Sequence, residues 1–282
     1  MRDVNEAYGR IAIEQLSLRV GAGAQAFEAV QDVSLTVAPG EFVCLLGPSG
    51  CGKSTLLGAL AGHLRPSKGG ITVDGVAVNG PHAERGLVFQ HHTLFPWRRV
   101  IDNVAFGLKM QGVGRTERRR RALELLRMVG LQDFAGHYPA QLSGGMKQRV
   151  EIARVLINHP RVMLMDEPFG ALDAQTRLMM QQLLLQLWAQ IRTTIVFITH
   201  DIDEALFLAD RILVMSPRPG RIIEEIKVDF ARPRDASLVT SEHFTRLKRR
   251  CLQLLQPAAA ELPLERLSPL GAQPSGQLQF SL

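Results

Sequence analysis

Nine residues constrain this chain more than any others: "GPSGCGKST", Gly47 to Thr55, which fills G-x-x-x-x-G-K-[ST] from Gly47 to Ser54. The stretch follows the apolar run "EFVCLLG" and opens the helical pattern "KSTLLGALAG", the strand–turn–helix context that a phosphate-binding loop needs. Gly47, Gly50 and Gly52 let the backbone curl until successive N–H groups point inward at a β-phosphate, with the helix dipole adding to them. The expected phosphate contacts are therefore Gly47, Pro48, Ser49, Gly50, Cys51, Gly52, Lys53, Ser54 and Thr55. Lys53 supplies a mobile point charge for the β- and γ-phosphates, and Ser54 a hydroxyl for magnesium.

The acidic half of such a site stands in "VMLMDEP". Val162 to Met165 read as a buried strand, and Asp166 emerges at its end, where a carboxylate can hold magnesium directly or through water. Glu167 follows it, points elsewhere, and is a candidate general base for an attacking water. Gln90 ends "GLVFQ" and His200 ends "VFITH". A neutral amide can touch both magnesium and water; an imidazole can donate to a γ-phosphate and hold the water in line. In isolation a Gln or His at a strand end is ordinarily structural. Together, the loop, the amide, the carboxylates and the imidazole at the carboxyl ends of strands match the place where α/β sheets bind ligands.

At 282 residues and 46% hydrophobic, the chain can bury a large core. Continuous apolar runs at Phe42–Leu46, Val162–Met165 and "TTIVFITHD" imply strands buried on both faces of a largely parallel sheet. Before them, residues 11–37 read as short alternating strands, and "GGITVDGVAV" as a hairpin turning at Asp-Gly. From about His91 to Asn158 helical periodicity replaces strand patterns, which suggests a helical insertion in an α/β domain. "DAQTRLMMQQLLLQLWAQ" predicts a long helix capped by Asp173. A last helix is expected from Ser241 within residues 231–256, and the Pro-, Ala- and Gln-rich residues 257–282 are expected to be disordered.

The chain carries 33 basic and 27 acidic residues, with dense runs at Arg115–Arg121 and Leu247–Arg250. Such runs are solvated helix faces, nucleic-acid surfaces or contacts to anionic lipid, and the lack of interleaved aromatics disfavours base stacking. Cys44, Cys51 and Cys251 have no metal-ligand spacing and cannot all pair, which fits a reducing compartment. There is no signal-peptide core and no apolar run of membrane-spanning length, so a soluble, cytoplasmic chain is expected.

A second glycine turn stands in "LSGGMKQR", Leu142 to Arg149, ninety residues beyond Lys53. Ser143, Gly144 and Gly145 precede a helix whose first N–H groups lack partners, again suited to phosphate. A tight turn capped by Ser143 is the plainer explanation. Because the turn lies in the helical insertion, the simplest phosphate-binding geometry has it reach the nucleotide of another copy.

The order of these motifs, with "ALD" and "THD", closely resembles the ATP-binding cassette of ABC transporters over roughly residues 11 to 230. The resemblance implies an α/β P-loop NTPase with a mainly parallel core sheet, an N-terminal antiparallel β subdomain and a helical subdomain insertion. It implies ATP and Mg2+ as cofactors, with Ser54, Gln90 and Asp166 at the metal and Glu167 and His200 catalytic. Leu142, Ser143, Gly144, Gly145 and Met146 match the signature that acts in trans; Gln90 matches the lever to the permease, and Asp173 the loop communicating across the dimer. The implied partners are a second cassette, two transmembrane permease subunits and, indirectly, an external solute-binding protein, at the cytoplasmic face of the inner membrane. "FQHHTLFPWRRVIDNVAFGL", "DEPFGALDAQTR" and "SPRPGRI" look most like importers of nitrate, taurine and aliphatic sulfonates.

Phe95, Pro96 and Trp97 are either permease-docking residues or ordinary core. Two positions depart from the family pattern: Val20 stands where an aromatic commonly stacks on adenine, with Phe27 or Tyr8 as substitutes, and Met146 stands where glutamine is usual. A nucleic-acid-linked ABC ATPase is the alternative, but it would usually carry long coiled-coil or zinc insertions, for which ninety residues without heptads or Cys-x-x-Cys leave no place.

Overall fold

The computed structural model describes residues 8–256; the tail expected to be disordered lies outside them. Two sheets carry the fold. The first contains β1 (Ile11–Val20), β2 (Phe27–Val37), β4 (Lys68–Val73) and β5 (Val76–Ala77), all antiparallel, in the order β2-β1-β4-β5. The second contains β3 (Phe42–Leu46), β6 (Arg85–Val88), β7 (Val162–Asp166), β8 (Thr194–Thr199), β9 (Arg211–Met215) and β10 (Ile222–Lys227), in the order β10-β9-β3-β8-β7-β6. All its pairs are parallel except β9 with β10.

The parallel strands read as unbroken apolar runs because each serves two cores. Phe42, Cys44 and Leu46 of β3 face one, with Met163, Met165, Ile195 and Phe197 of β7 and β8. Val43 and Leu45 face the other, with Leu164, Val196 and Ile198, against the first sheet and α1 (Lys53–Ala61). Burial of each such side chain is worth ~2 kcal/mol.

The N-terminal strands are longer than the alternation suggests: β1 runs ten residues and β2 eleven. Their pairing slips between Ile13 and Leu16 and again between Leu16 and Leu18, with Gln15 at φ 45° and Asp32 at φ 50°. Ser34 Oγ accepts from Gln15 N–H and Ser17 Oγ from Asp32 N–H, so hydroxyls replace the ladder at the bulges and pairing resumes beyond them.

Between β6 and β7 lie α2 (Val100–Val104), α3 (Phe106–Met110), α4 (Arg115–Met128) and α5 (Gly144–Leu156). Glu117 accepts from Arg120 and Arg121, and these hydrogen bonds hold its carboxyl down at about 2. Arg119 lies 3.7 Å from Asp102. The basic run is thus largely a self-paired, exposed helix face. The chain closes with α6 (Ala174–Ile191), α7 (Ile202–Leu208) and α8 (Glu242–Leu255). Ser241 caps α8 through Phe244 N–H, and the three cysteines are buried and unpaired.

Candidate active site

Four neighbouring strands, β3, β8, β7 and β6, bring their carboxyl ends to one edge of the second sheet. Beyond β3 the chain turns through Gly50 at φ 75° and Gly52 at φ 106° into α1. A Cβ at Gly52 would stand 2.7 Å from the carbonyl oxygen of Ala29, so both conformation and space require glycine there. Lys53 is 6% exposed, and its ammonium donates to the Gly47 and Pro48 carbonyls at 2.8 and 3.1 Å. The lysine is therefore folded back within the loop whose N–H groups it complements.

Ser54 Oγ donates to Asp166 Oδ1 at 3.1 Å, which joins the first turn of α1 to the end of β7. Burial pushes the Asp166 carboxyl up, and so does the neighbouring Glu167 charge, while the Ser54 hydrogen bond and the charge of Lys53 pull it down. A hydroxyl and a half-buried carboxylate in contact form a hard-oxygen pair that fits a magnesium ion. Gln90 is exposed, two residues past β6, and no hydrogen bond joins it to Ser54 or Asp166.

At Glu167 the backbone switches to φ 43° while its N–H stays bonded to the Ile198 carbonyl. This left-handed step turns its side chain away from that of Asp166 and toward β8, at a cost of ~1 kcal/mol or more. There Glu167 Oε2 lies 3.0 Å from His200 Nδ1. The His200 ring remains 62% exposed, so this pair stands at the open edge of the site.

The second glycine turn lies elsewhere. Ser143 caps α5, its Oγ accepting from Met146 N–H at 3.3 Å. A Cβ on Gly145 would come within 2.7 Å of Thr176 Cγ2 on α6, and one on Gly144 within 3.7 Å of Leu172. The turn is therefore seated on the start of α6 in its own chain, with Leu142 buried and Ser143 and Gly144 exposed. The Met146 side chain packs, partly buried, against the larger core, an apolar role that a glutamine amide would fill poorly. Asp173 caps α6 through Thr176 N–H, and that bond holds its carboxyl below the usual range.

Of the two substitutes for an aromatic at Val20, Tyr8 is on the wrong side. Its ring lies under Arg161, before β7 begins, about 16 Å of strand from Asp166. Phe27 is the cross-strand partner of Val20 itself and is 37% exposed. Arg218 lies over its ring at 4.2 Å and donates to the Gly50 carbonyl at 3.3 Å. The loop bearing Arg218 is pinned in place: Gly220 exchanges hydrogen bonds with Ala29 and Gln31 of β2, and a Cβ there would collide with the Cys51 carbonyl. Sequence inspection missed Arg218, since only the closure of β9 and β10 onto β2 brings it to the phosphate loop. It also missed the Arg177–Asp201 ion pair, 3.1 Å, which ties the head of α6 to the cap of α7.

Comparisons with known proteins agree with this geometry. Residues 30–170 match the family described as ABC transporter. A taurine import ATP-binding protein, TauB of Rhizobium johnstonii, is 58% identical over 72% of this chain and 78% of its own length. An uncharacterized ABC transporter ATP-binding protein of Methanocaldococcus jannaschii is 46% identical, over 88% of this chain and 91% of its own. Among solved structures, a dimeric post-hydrolysis state of the ATP-binding cassette MJ0796 bound to ADP and Pi superposes with a TM-score of 0.69. It is 35% identical and covers 78% of this chain and 100% of that one.

Proposed function

Since the chain belongs to the ATP-binding family of ABC transporters, we propose that it powers import of taurine, an aliphatic sulfonate or nitrate as one of two cassettes enclosing two ATP molecules. It is the ATPase subunit of an importer. The observation that carries the mechanism is the adjacency of two pairs at one sheet edge, Ser54 with Asp166 and Glu167 with His200.

Loop residues 47–55 bind the phosphates through backbone N–H groups, and Lys53 turns its ammonium from its own carbonyls to the β- and γ-oxygens. Ser54 and Asp166 would hold a magnesium ion, with Gln90 able to approach from the neighbouring strand end, and the ion would supply positive charge against the phosphates. Glu167 accepts the proton of the attacking water, and the His200 ring fixes the carboxylate that does so. The base rests on the Phe27 ring, with Arg218 bridging that ring and the phosphate loop.

The Ser143 turn is packed on its own α6 and so is free to complete a partner's nucleotide site rather than its own. Trp97, 72% exposed beside Phe95 at 5.8 Å, offers an aromatic face to a permease helix. That contact would hold the chain at the cytoplasmic face of the membrane; among the described residues no helix is long and apolar enough to cross one.

Glu167→Gln should keep ATP binding, lower hydrolysis at least ~100-fold, and accumulate a dimer in ATP by gel filtration with light scattering. Monomers alone in saturating ATP would sink the sandwich. For the solute, reconstitution with a permease and a binding protein of the importer should give ATPase activity stimulated by taurine, an alkanesulfonate or nitrate. Indifference to all three would remove this solute class.

A further inference from the structure

The C-terminal half of α6 and the segment Arg232–Arg234 enclose a cavity of about 510 Å³. Its size suits a small ligand. It lies at the end of the sheet away from the phosphate loop: Trp188 packs on Phe42, the first residue of β3, with ring centroids 6.0 Å apart, whereas the loop follows the last. Leu185, Trp188 and Pro233 give it apolar walls, and three guanidinium groups, Arg192, Arg232 and Arg234, converge on it. No carboxylate lines it among the described residues.

The charges there are poorly compensated. Arg232 pairs with Asp210 at 2.7 Å and stacks on Trp188 at 4.3 Å. Arg234 is 7% exposed, yet it donates only to backbone carbonyls, among them Phe207 at 3.0 Å and Ala209 at 2.8 Å. Its Nε is buried with no hydrogen-bond partner. Burial, and after it the neighbouring Arg232 charge, pull the Arg234 guanidinium down to about 10 against the opposing charge of Asp210. The Arg192 guanidinium touches the Trp188 ring at 5.1 Å and makes no hydrogen bond or ion pair among the described residues; only its backbone N–H is bonded, to the Trp188 carbonyl. Among the described residues, therefore, neither Arg192 nor Arg234 makes an ion pair, and both stand beside an apolar wall.

We propose that this cavity is a binding site for a small organic anion, a carboxylate or sulfonate whose head pairs with Arg192 in the positive field of Arg232 and Arg234 and whose body lies against Leu185 and Pro233. A bare inorganic anion would leave the apolar wall without a partner. Arg234 also holds the carbonyls at the end of α7, the helix that Asp201 caps directly after His200.

Trp188 reports on the cavity. In the full chain carrying Trp97→Phe, its fluorescence should change saturably with benzenesulfonate, half-maximally below about 1 mM. Sodium sulfate should give no saturation at matched ionic strength. Arg192→Gln should weaken benzenesulfonate about tenfold or more while ATP affinity, the check on folding, stays unchanged. A flat titration in a chain that binds ATP overturns the site. Equal affinity in Arg192→Gln, or equal binding of sulfate, overturns its assignment to an organic anion.

Discussion

Phe27 illustrates what one residue can do from an unexpected strand. Its register opposite Val20 puts an aromatic face at the lip of the phosphate loop, where Arg218 already lies over it. Base stacking on such a ring is worth ~1–3 kcal/mol, so Phe27→Ala should weaken ATP binding about 5- to 150-fold by calorimetry. Phe27→Tyr should restore it, and unchanged affinity in the alanine variant would mean that the base lies elsewhere. The motif residues were legible because their chemistry is local: glycines, lysine and hydroxyl act within nine positions of one turn. Phe27 and Arg218 were harder, because the contact that defines them joins residues 191 positions apart. Met146 lies between these cases. Its departure from glutamine shows in the sequence, and its apolar packing only in the fold.

Among the elements, α7 carries a buried acid that bears on stability. Glu204 is 4% exposed and accepts from Gln181 Nε2 at 3.1 Å. Burial raises its carboxyl above the ordinary 4.5. Between the unfolded and folded values the native chain keeps a proton that the unfolded chain releases. Stability from this group is therefore full below about 4.5, falls as pH rises through that window, and stays reduced above it. Glu204→Gln keeps the shape and removes the charge. It should raise Tm at pH 8 by about 2–4 °C or more, with a smaller gain at pH 5. A loss at both pH values would show that the ionised carboxylate is the stabilising form. The parallel strands were readable as elements because two-sided burial writes unbroken apolar runs, whereas the lengths of β1 and β2 were not. Bulges at Gln15 and Asp32 interrupt the alternation without ending the pairing.

For the whole molecule, the decisive question is which nucleotide the Ser143 turn serves. Within one chain it rests on Leu172 and Thr176, beside the Asp173 cap, while Ser143 itself is exposed. Two copies related by a two-fold axis would each offer a phosphate loop to the other's turn, since an isologous interface makes every contact twice. Mixing two defective chains separates this from a site complete within one chain. Lys53→Ala lacks the phosphate cation but keeps its turn; Ser143→Arg blocks the turn but keeps its loop. Each alone should hydrolyse almost no ATP. In an equal mixture half the dimers are mixed, and each mixed dimer joins a good loop to a good turn at one of its two sites. Hydrolysis should then return to about a quarter of the unaltered level if the sites act independently. Stronger interdependence lowers that fraction but leaves it above either variant alone. A mixture no more active than its components would place the turn's action in its own chain or make both sites obligatory. Assaying ATP-dependent dimer formation in the same mixture separates the two, because only an in-trans turn lets mixed dimers close on one nucleotide.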